Sequence, residues 1–410
     1  MTGWNQSKLS PGSFLTVIII MGMFGPFSTD MYLSALPVML QEFSTTAEMM
    51  NITMYGFMMM MAVSILLMGP ITDRYGRRPV LALSLIEFLT VTILCSMAQD
   101  IILFIVFRLL QGVGAGGAVT VSTALIKDSY SGSERVRALN IQAMTAIIAP
   151  VLAPVLGAGI IAVSGWRVTF AVPAGLAVIC MIFMLFIDET VDRDRSGTEG
   201  IRKVLGSMAG LCRNRTFLAF MILATSSNMA FMAHISVSSY IYEDIFGLEP
   251  GIYTLVLAAT LILGTLAMIV INRVFANVLN RRMFFIFPLL LAIGSVLMFT
   301  VGDRAWYLFL ISFLFAIASS STARPWGMAV LMGSHDGDGG VVSSLINFAF
   351  FLFGCIGMMV STMPFWPDYI TAMAALIAAS ALIFIAMWVY IALTKGDLRA
   401  FHVTLSGKSV

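Results

Sequence analysis

The sequence predicts an all-α membrane protein with twelve transmembrane helices, arranged as two six-helix bundles. Three observations support this fold class: the composition, the length of the apolar blocks, and one long polar stretch near the middle of the chain. Hydrophobic residues make up 59% of the 410 residues and charged residues 11%, whereas a soluble domain has roughly 45–50% and about 25%. A soluble fold of this length could not bury so much apolar surface.

The apolar blocks are long enough to cross a bilayer of ~30 Å, which takes about 20 helical residues. The first block is too long for a cleaved signal peptide, so we expect it to remain as a helix. The predicted spans lie near residues 14–36, 49–69, 79–98, 101–126, 138–163, 168–187, 216–242, 251–271, 283–301, 305–332, 340–364 and 368–393.

The polar stretch from Asp188 to Arg215 divides the predicted spans into six and six. We therefore predict an N-terminal six-helix bundle over 1–187, a cytoplasmic linker over 188–215, and a C-terminal six-helix bundle with a cytoplasmic tail over 216–410. Two equal bundles joined by a charged linker are typical of proteins whose halves rock against one another. The alternative is that the linker only connects them.

The positions of lysine and arginine predict the orientation in the membrane. An N-terminus on the inside places 19 of the 23 basic residues in cytoplasmic segments and leaves only Arg167 and Arg304 outside. Both termini are therefore expected in the cytoplasm. The net charge of +2 gives no support for nucleic-acid binding, and the four cysteines lack the spacing of a metal site or a disulfide scaffold.

The loop between spans two and three has a regular pattern of glycine, acid and arginine. It reads GPITDRYGRRP over residues 69–79. Gly76 permits the positive φ angle of a tight turn, and Asp73 lies within ion-pair reach of Arg77 at a helix end. Pro79 falls at the start of the next helix, where its missing N–H costs nothing.

Two later spans also carry ordered patterns. Span four reads RLLQGVGAGG from Arg108, so that Arg108 and Gln111 share a helix face with small residues that let a neighbouring helix approach closely. Span five reads APVLAPVLGAG over residues 149–159, in which Pro150 and Pro154 each remove a helical hydrogen bond and predict a kink. The alternative for span five is an ordinary kinked membrane helix.

These three patterns resemble the G-x-x-x-D-R-x-G-R-R, R-x-x-Q-G and antiporter motifs of the major facilitator superfamily. The first span reads STDMYLSALP from Ser28 and is similar to the corresponding segment of bicyclomycin/chloramphenicol-resistance (Bcr/CflA) type drug–proton antiporters, with Ser34 in place of a proline. The resemblance implies the major facilitator fold, with spans one, four, seven and ten around a central cavity. It also implies that Asp73, Arg77 and Asp128 latch the halves together when the cavity faces outward.

Asp30 is the candidate proton-coupling carboxylate, with Arg108 and Gln111 as its neighbours in the site. Helix rise places Asp30 roughly 9 Å and Arg108 ~10 Å below the outer surface, so that the opposite charges lie at one level. Burial favours the neutral carboxyl and the arginine favours the carboxylate, which would allow exchange of a proton for substrate. The alternative is a structural carboxylate paired permanently with Arg108.

Other polar residues within spans are candidates for the cavity. In span seven, Asn228, Phe231 and His234 either contact substrate or protons, or serve packing. Glu87 in span three is expected to pair with a neighbouring helix. Arg324 in span ten precedes Pro325, which is expected to break the helix, and either attracts anionic groups into the cavity or extends to the cytoplasmic surface.

The resemblance implies a proton-coupled transporter that exports small organic molecules, a drug efflux antiporter of a prokaryotic inner membrane. We expect no enzyme activity, metal or cofactor, the proton gradient as the energy source, and a monomer that contacts substrate, protons and lipid but no nucleic acid. One alternative, favoured by Arg324, is a dedicated exporter of a zwitterionic or anionic metabolite such as an amino-acid derivative or a metal-chelating compound. A membrane enzyme or sensor on this scaffold lacks a catalytic cluster.

Overall fold

A computed structural model describes residues 9–190, 200–274, 279–333 and 339–393. These residues form α-helices with short 3₁₀ and π-helical turns, and there is no β-strand among them. The chain divides into two compact units, Met1–Val204 with Pro250–Ala258, and Leu205–Glu249 with Ala259–Val410. The division after Val204 falls inside the predicted linker 188–215, of which residues 191–199 lie outside the described ranges.

The first predicted span is not one continuous helix. It consists of α1 (Pro11–Gly22), α2 (Phe24–Thr29) and α3 (Leu36–Glu42), with a bend of 41° after α1 and a 3₁₀ turn before α3. The amide of Asp30 donates to the carbonyl oxygen of Pro26 at 2.7 Å, which closes the last turn of α2. Asp30 therefore lies at the end of a short helix, in a break that the helical periodicity did not predict.

The remaining helices of the N-terminal half follow the predicted spans closely. They are α4 (Ala47–Tyr75), α5 (Arg77–Met97), α6 (Ile101–Ser129), α7 (Gly132–Ser164) and α8 (Ala171–Met184), the last preceded by a 3₁₀ turn over Trp166–Phe170. Gly76 has a φ angle of 97°, which confirms the tight turn predicted between spans two and three.

The later part of the chain begins with a helix inside the predicted linker and continues with the spans. Its helices are α9 (Gly200–Arg213), α10 (Arg215–Thr225), α11 (Asn228–Ser239), α12 (Pro250–Val274), α13 (Leu279–Val301), α14 (Trp306–Gly333), α15 (Gly339–Ser361) and α16 (Tyr369–Leu393). Span seven, like span one, is interrupted, because Ser226 and Ser227 separate α10 from α11. A π-helical turn over Tyr240–Ile245 ends that span.

Prolines within helices do not all interrupt them. The break predicted at Pro325 is wrong, because α14 continues through this residue to Gly333. In the turn before Pro325, Thr322 Oγ1 donates to the carbonyl oxygen of Ala318 at 2.9 Å. α7 also runs through Pro150 and Pro154, and the kink predicted there stays a prediction.

The described helices account for all of the predicted spans. Ten are long and apolar enough to cross a membrane, and the bent pair α1 with Phe24–Glu42 is an eleventh. The fifth span is represented by a shorter apolar segment, Ile148–Ser164, within α7. The protein is therefore a multi-pass α-helical membrane protein, as the composition predicted.

Candidate functional site

Asp30 lies buried in the break of the first span, with 7% of its surface exposed. Its Oδ1 accepts a hydrogen bond from Thr29 Oγ1 at 2.8 Å, and the same hydroxyl lies 3.0 Å from the carbonyl oxygen of Gly25. No ion pair of the described residues includes Asp30. A buried carboxyl group outside any ion pair is unusual within a membrane span and marks Asp30 as a candidate functional residue.

Arg108 is fully buried in α6 and is held by neutral groups. Its Nε donates to the carbonyl oxygen of Thr53 at 3.2 Å, and its Nη1 donates to Oε1 of Gln111. The guanidinium carbon lies 4.5 Å from the ring centre of Phe57 and 5.3 Å from that of Tyr32, within cation–π range. Its Nη2 has no acceptor among the described residues, so one donor of this buried cation remains available.

The structure does not bring Asp30 and Arg108 into an ion pair, although Arg108 acts electrostatically on the carboxyl group. The role of Asp30 in proton coupling stays a prediction, but the pairing that the alternative required is absent from this structure. The reason is local: a backbone carbonyl and the Gln111 amide take up the guanidinium, and aromatic rings flank it. Gln111 is fixed in turn, since its Nε2 donates to Thr92 Oγ1 at 2.7 Å.

An aromatic cluster of Tyr32, Phe104 and Phe170, together with Thr53 and Thr92, completes this site. None of these residues was a candidate from the sequence. The hydroxyl of Tyr32 lies 3.2 Å from Oγ1 of Thr53, and the Tyr32 ring stacks on Phe170 with ring centres 5.9 Å apart. Phe104 packs edge-on against both rings. Tyr32 stands two residues after Asp30, which could have signalled it, whereas Thr53 is one of many hydroxyl residues in the spans and had no signal of its own.

A glycine of the fifth span lies against the backbone of the break in each half. A Cβ atom on Gly157 of α7 would overlap the carbonyl oxygen of Met31, the residue after Asp30. A Cβ atom on Gly357 of α15 would overlap the carbonyl oxygen of Met229, the residue after Asn228. The two halves thus repeat one contact, in which Asp30 and Asn228 occupy corresponding positions.

Asn228 and His234 are completely buried in the second unit. Nδ2 of Asn228 donates to the carbonyl oxygen of Phe350 at 2.7 Å, while its Oδ1 has no donor among the described residues. The ring of His234 stacks on Phe313 with centres 3.9 Å apart, and neither ring nitrogen has a hydrogen-bond partner in the described ranges. Phe231 is half-buried, and no ring contact joins it to His234 within those ranges.

Arg324 is held inside the second unit by α15. Its Nη2 donates to Oδ1 of Asn347 at 2.6 Å, and its guanidinium carbon lies 4.1 Å from the ring centre of Phe350. Phe350 therefore contacts Arg324 through its ring and Asn228 through its backbone. Neither Asn347 nor Phe350 had a sequence signal of its own, because one amide and one phenylalanine are unremarkable in an apolar span.

The three residues of the predicted latch do form one ion-pair cluster. Nη1 of Arg77 pairs with Asp73, and its Nε donates to Oδ2 of Asp128 at 2.9 Å. Thr190 Oγ1 donates to the same oxygen of Asp128 at 2.8 Å. All of these residues belong to the first unit, so a role in latching the two halves stays a prediction.

Glu189, in the segment after α8, caps the start of α5. Its carboxylate oxygens accept hydrogen bonds from the backbone amides of Arg77 at 2.8 Å and Arg78 at 3.0 Å. A carboxylate at a helix N-terminus satisfies amides that have no partner within the helix. The sequence analysis did not predict this cap.

The described ranges contain no group of three or more histidine, cysteine, aspartate or glutamate residues that could hold a metal ion.

Comparisons with known proteins place these features in a family. The multidrug resistance protein MdtL of Salmonella schwarzengrund (strain CVM19633) is 28% identical over 247 residues, or 60% of this chain and 62% of that protein. The uncharacterized MFS-type transporter YdgK of Bacillus subtilis (strain 168) is 23% identical over 247 residues, or 59% and 61% of the two chains. The match thus spans about three fifths of the length of these curated relatives.

A solved structure of similar fold is that of a bacterial homolog of the human lysosomal transporter Spinster, in an inward-facing and occupied conformation. It matches with a TM-score of 0.71 at 13% identity, covering 98% of this chain and 99% of that one. The family profile described as the Major Facilitator Superfamily matches residues 18–358. Because this match covers most of the sequence, the chain belongs to the Major Facilitator Superfamily.

Proposed function

We propose that this protein is a proton-coupled secondary transporter that exports small organic molecules, a drug efflux antiporter of the Bcr/CflA type. The observation that carries the proposal is Asp30, a buried carboxyl in the break of the first span that has one hydroxyl partner and no ion pair. A carboxyl in these surroundings can bind a proton when exposed to one side and release it when exposed to the other.

The surroundings of Asp30 also suit the binding of an organic molecule. Aromatic rings of Tyr32 and Phe57 flank the guanidinium of Arg108, which keeps one free donor. A substrate that reaches this group would find a planar apolar surface, a cation and a carboxyl within one unit. Apolar walls with a few polar groups are typical of small-molecule sites.

The similarity to proteins named multidrug resistance protein supports broad export rather than a dedicated metabolite exporter. Arg324, which suggested the metabolite, is engaged by Asn347 and Phe350. We further propose a bacterial inner membrane location with both termini in the cytoplasm, on the distribution of basic residues. Family membership favours a transporter over an enzyme or sensor.

The experiment that tests this function compares Asp30→Asn with the native protein in proteoliposomes that carry a pH gradient. A panel of lipophilic cations, neutral antibiotics and zwitterions is offered, and proton release and substrate flux are measured together. We expect the native protein to exchange protons for at least one compound and Asp30→Asn to lose the proton movement. Equal proton release by both proteins would remove Asp30 from the mechanism.

The matched control is Asp100→Asn. Asp100 caps α6, where its Oδ1 accepts hydrogen bonds from the backbone amides of Ile102 at 2.8 Å and Leu103 at 3.1 Å. Asparagine caps helices about as well as aspartate, so this variant removes one carboxylate outside the site without loss of the cap. Its transport should equal that of the native protein.

A further inference from the structure

Glu87 is a carboxyl group at the middle of α5 that the proposed transport cycle does not use. Both of its carboxylate oxygens are buried, and no side chain in the described ranges donates to them. The side chain lies against α6, where a Cβ atom on Gly114 would overlap Oε2 of Glu87. The expected pairing with a neighbouring helix is therefore a packing contact, because no described ion pair includes Glu87.

The groove that holds Glu87 continues the polar face of α6. Arg108, Gln111 and Gly114 follow one another at three-residue intervals, which puts them on one side of the helix. Gln111 bonds to Thr92 of α5, and Thr92 Oγ1 donates to the carbonyl oxygen of Phe88 at 2.5 Å. A chain of hydrogen bonds thus runs from Arg108 to the residue next to Glu87.

The charges inside the first unit do not balance if every group is ionised. Among the described residues of its spans, the interior holds one basic group, Arg108, and two acidic groups, Asp30 and Glu87; the other charged residues lie at helix ends. Neither acid is in a described ion pair, but Asp30 accepts a hydrogen bond from Thr29, whereas neither carboxylate oxygen of Glu87 has a partner among the described residues. A membrane interior strongly disfavours an unbalanced charge. The neutral acid is then Glu87, whose carboxylate would have no hydrogen-bond donor to stabilise its charge.

We propose that Glu87 is a second proton-binding site, a carboxylic acid that keeps its proton at neutral pH while Asp30 is the ionised group that balances Arg108. The other ionisable side chains near α5 do not supply a cation to it. On the elements that contact α5, those away from the helix ends are Tyr55 of α4, Arg108 of α6, Cys180 of α8 and Cys95 of α5 itself, with Asp30 after α2. The remaining ones lie at helix ends or in the 3₁₀ turn, and none forms a described ion pair with Glu87: Glu48, Asp73, Arg74, Tyr75, Arg77, Arg78, Lys127, Asp128 and Arg167.

The test uses dicyclohexylcarbodiimide, a lipophilic reagent that modifies protonated carboxyl groups in apolar surroundings. Leu83 and Ile86 beside Glu87 are 69% and 49% exposed on the outer surface of the helix, so the reagent can arrive through lipid. The acid adds across a C=N bond of the carbodiimide, its proton passes to nitrogen, and acyl transfer to nitrogen leaves a stable N-acylurea. No group is expelled, so the peptide gains the whole mass of the reagent.

We expect the peptide that contains Glu87 to carry this mass after treatment at neutral pH, and to lose it as the pH is raised. Glu87→Gln should abolish the label on that peptide. Glu48, in the first turn of α4 at a helix end, is the matched carboxylate that should remain unlabelled. An unlabelled Glu87 peptide at neutral pH would overturn the proposal.

A second measurement does not depend on access of the reagent. Glutamine has the shape of a protonated glutamic acid and carries no charge. We therefore expect Glu87→Gln and the native protein to melt at the same temperature at neutral pH. At alkaline pH the native protein alone must ionise Glu87 in the folded state, so its melting temperature should fall below that of the variant.

A melting difference that stays constant with pH would equally overturn the proposal. Neither measurement uses substrate or flux, so a failure of the proposed export function and a failure of this inference are distinguishable.

Discussion

The contact between Gly157 of α7 and the carbonyl oxygen of Met31 fixes the backbone immediately after Asp30. Substitution by alanine adds one Cβ atom that would overlap this oxygen. The atom in the way belongs to the backbone, so it cannot turn aside as the end of a flexible side chain would. Gly157→Ala should therefore displace the break that holds Asp30 or separate it from α7.

The expected loss of stability follows from two opposing contributions. Overpacking of a buried contact costs about 1–3 kcal/mol, whereas the change from glycine to alanine inside a helix contributes about 1 kcal/mol in favour of the folded state. Gly159→Ala is the matched control, since it lies in the same helix and its Cβ would meet nothing within 4 Å. Only the favourable contribution applies to Gly159.

The assay is the melting temperature of the purified protein in detergent, followed by proton-coupled flux in proteoliposomes. The two variants should differ in the free energy of unfolding by about 1–3 kcal/mol, with Gly159→Ala the more stable. At about 2–4 °C per kcal/mol for a unit of this size, Gly157→Ala should melt about 2–12 °C lower than Gly159→Ala. Equal melting temperatures and equal flux would refute the reasoning.

Three further outcomes are expected. Gln111→Leu leaves the buried guanidinium of Arg108 without its amide acceptor and should lower the free energy of unfolding by about 2–4 kcal/mol, measured by thermal melting. Asp73→Asn removes one partner of Arg77 and should slow transport without changing substrate affinity; loss of binding would contradict the latch. Burial raises the pKa of the Cys212 thiol, so its thiolate fraction and its rate of maleimide labelling should still increase with pH above the ordinary thiol pKa of about 8.5. A maleimide that cannot cross the membrane should label Cys212 from the cytoplasmic side only, and the three buried cysteines should remain unlabelled.

The spans could be predicted from the sequence because an apolar helix of membrane length leaves a long, uncharged block. The turn at Gly76 and the cluster of Asp73, Arg77 and Asp128 were also predictable, since glycine, acid and arginine at short spacing allow few other arrangements. These features depend on local geometry or on a family motif. They need little knowledge of which helices pack together.

The break at Asp30 and the partners of Arg108 could not be predicted in the same way. Hydropathy is insensitive to whether an apolar run is one helix or three, and the carbonyl of Met31 and the glycine of α7 that meet there are far apart in the sequence. Equal depth suggested that Asp30 pairs with Arg108. Helix rise gives the depth of a residue in the membrane but not the direction in which its side chain points around the helix axis. In the structure Arg108 donates a hydrogen bond to Gln111 instead of pairing with Asp30.

At Pro325 a local rule predicted a break that the structure does not contain. Proline removes one hydrogen bond, yet α14 continues through Pro325 to Gly333. A rule that holds for an isolated helix in water is weaker inside a bundle.

The contact of Gly157 with Met31 is repeated by that of Gly357 with Met229, but the residue before each methionine differs in its ability to ionise. Each half supports the interruption of its first span in the same manner, yet the residue at that point is an acid in one half and an amide in the other. An amide cannot release a proton in the physiological range, so only the first of these two positions can respond to a pH gradient. The backbone contact is duplicated while the chemistry is not, so a substitution at Asn228 leaves the ionisable group of the first half in place.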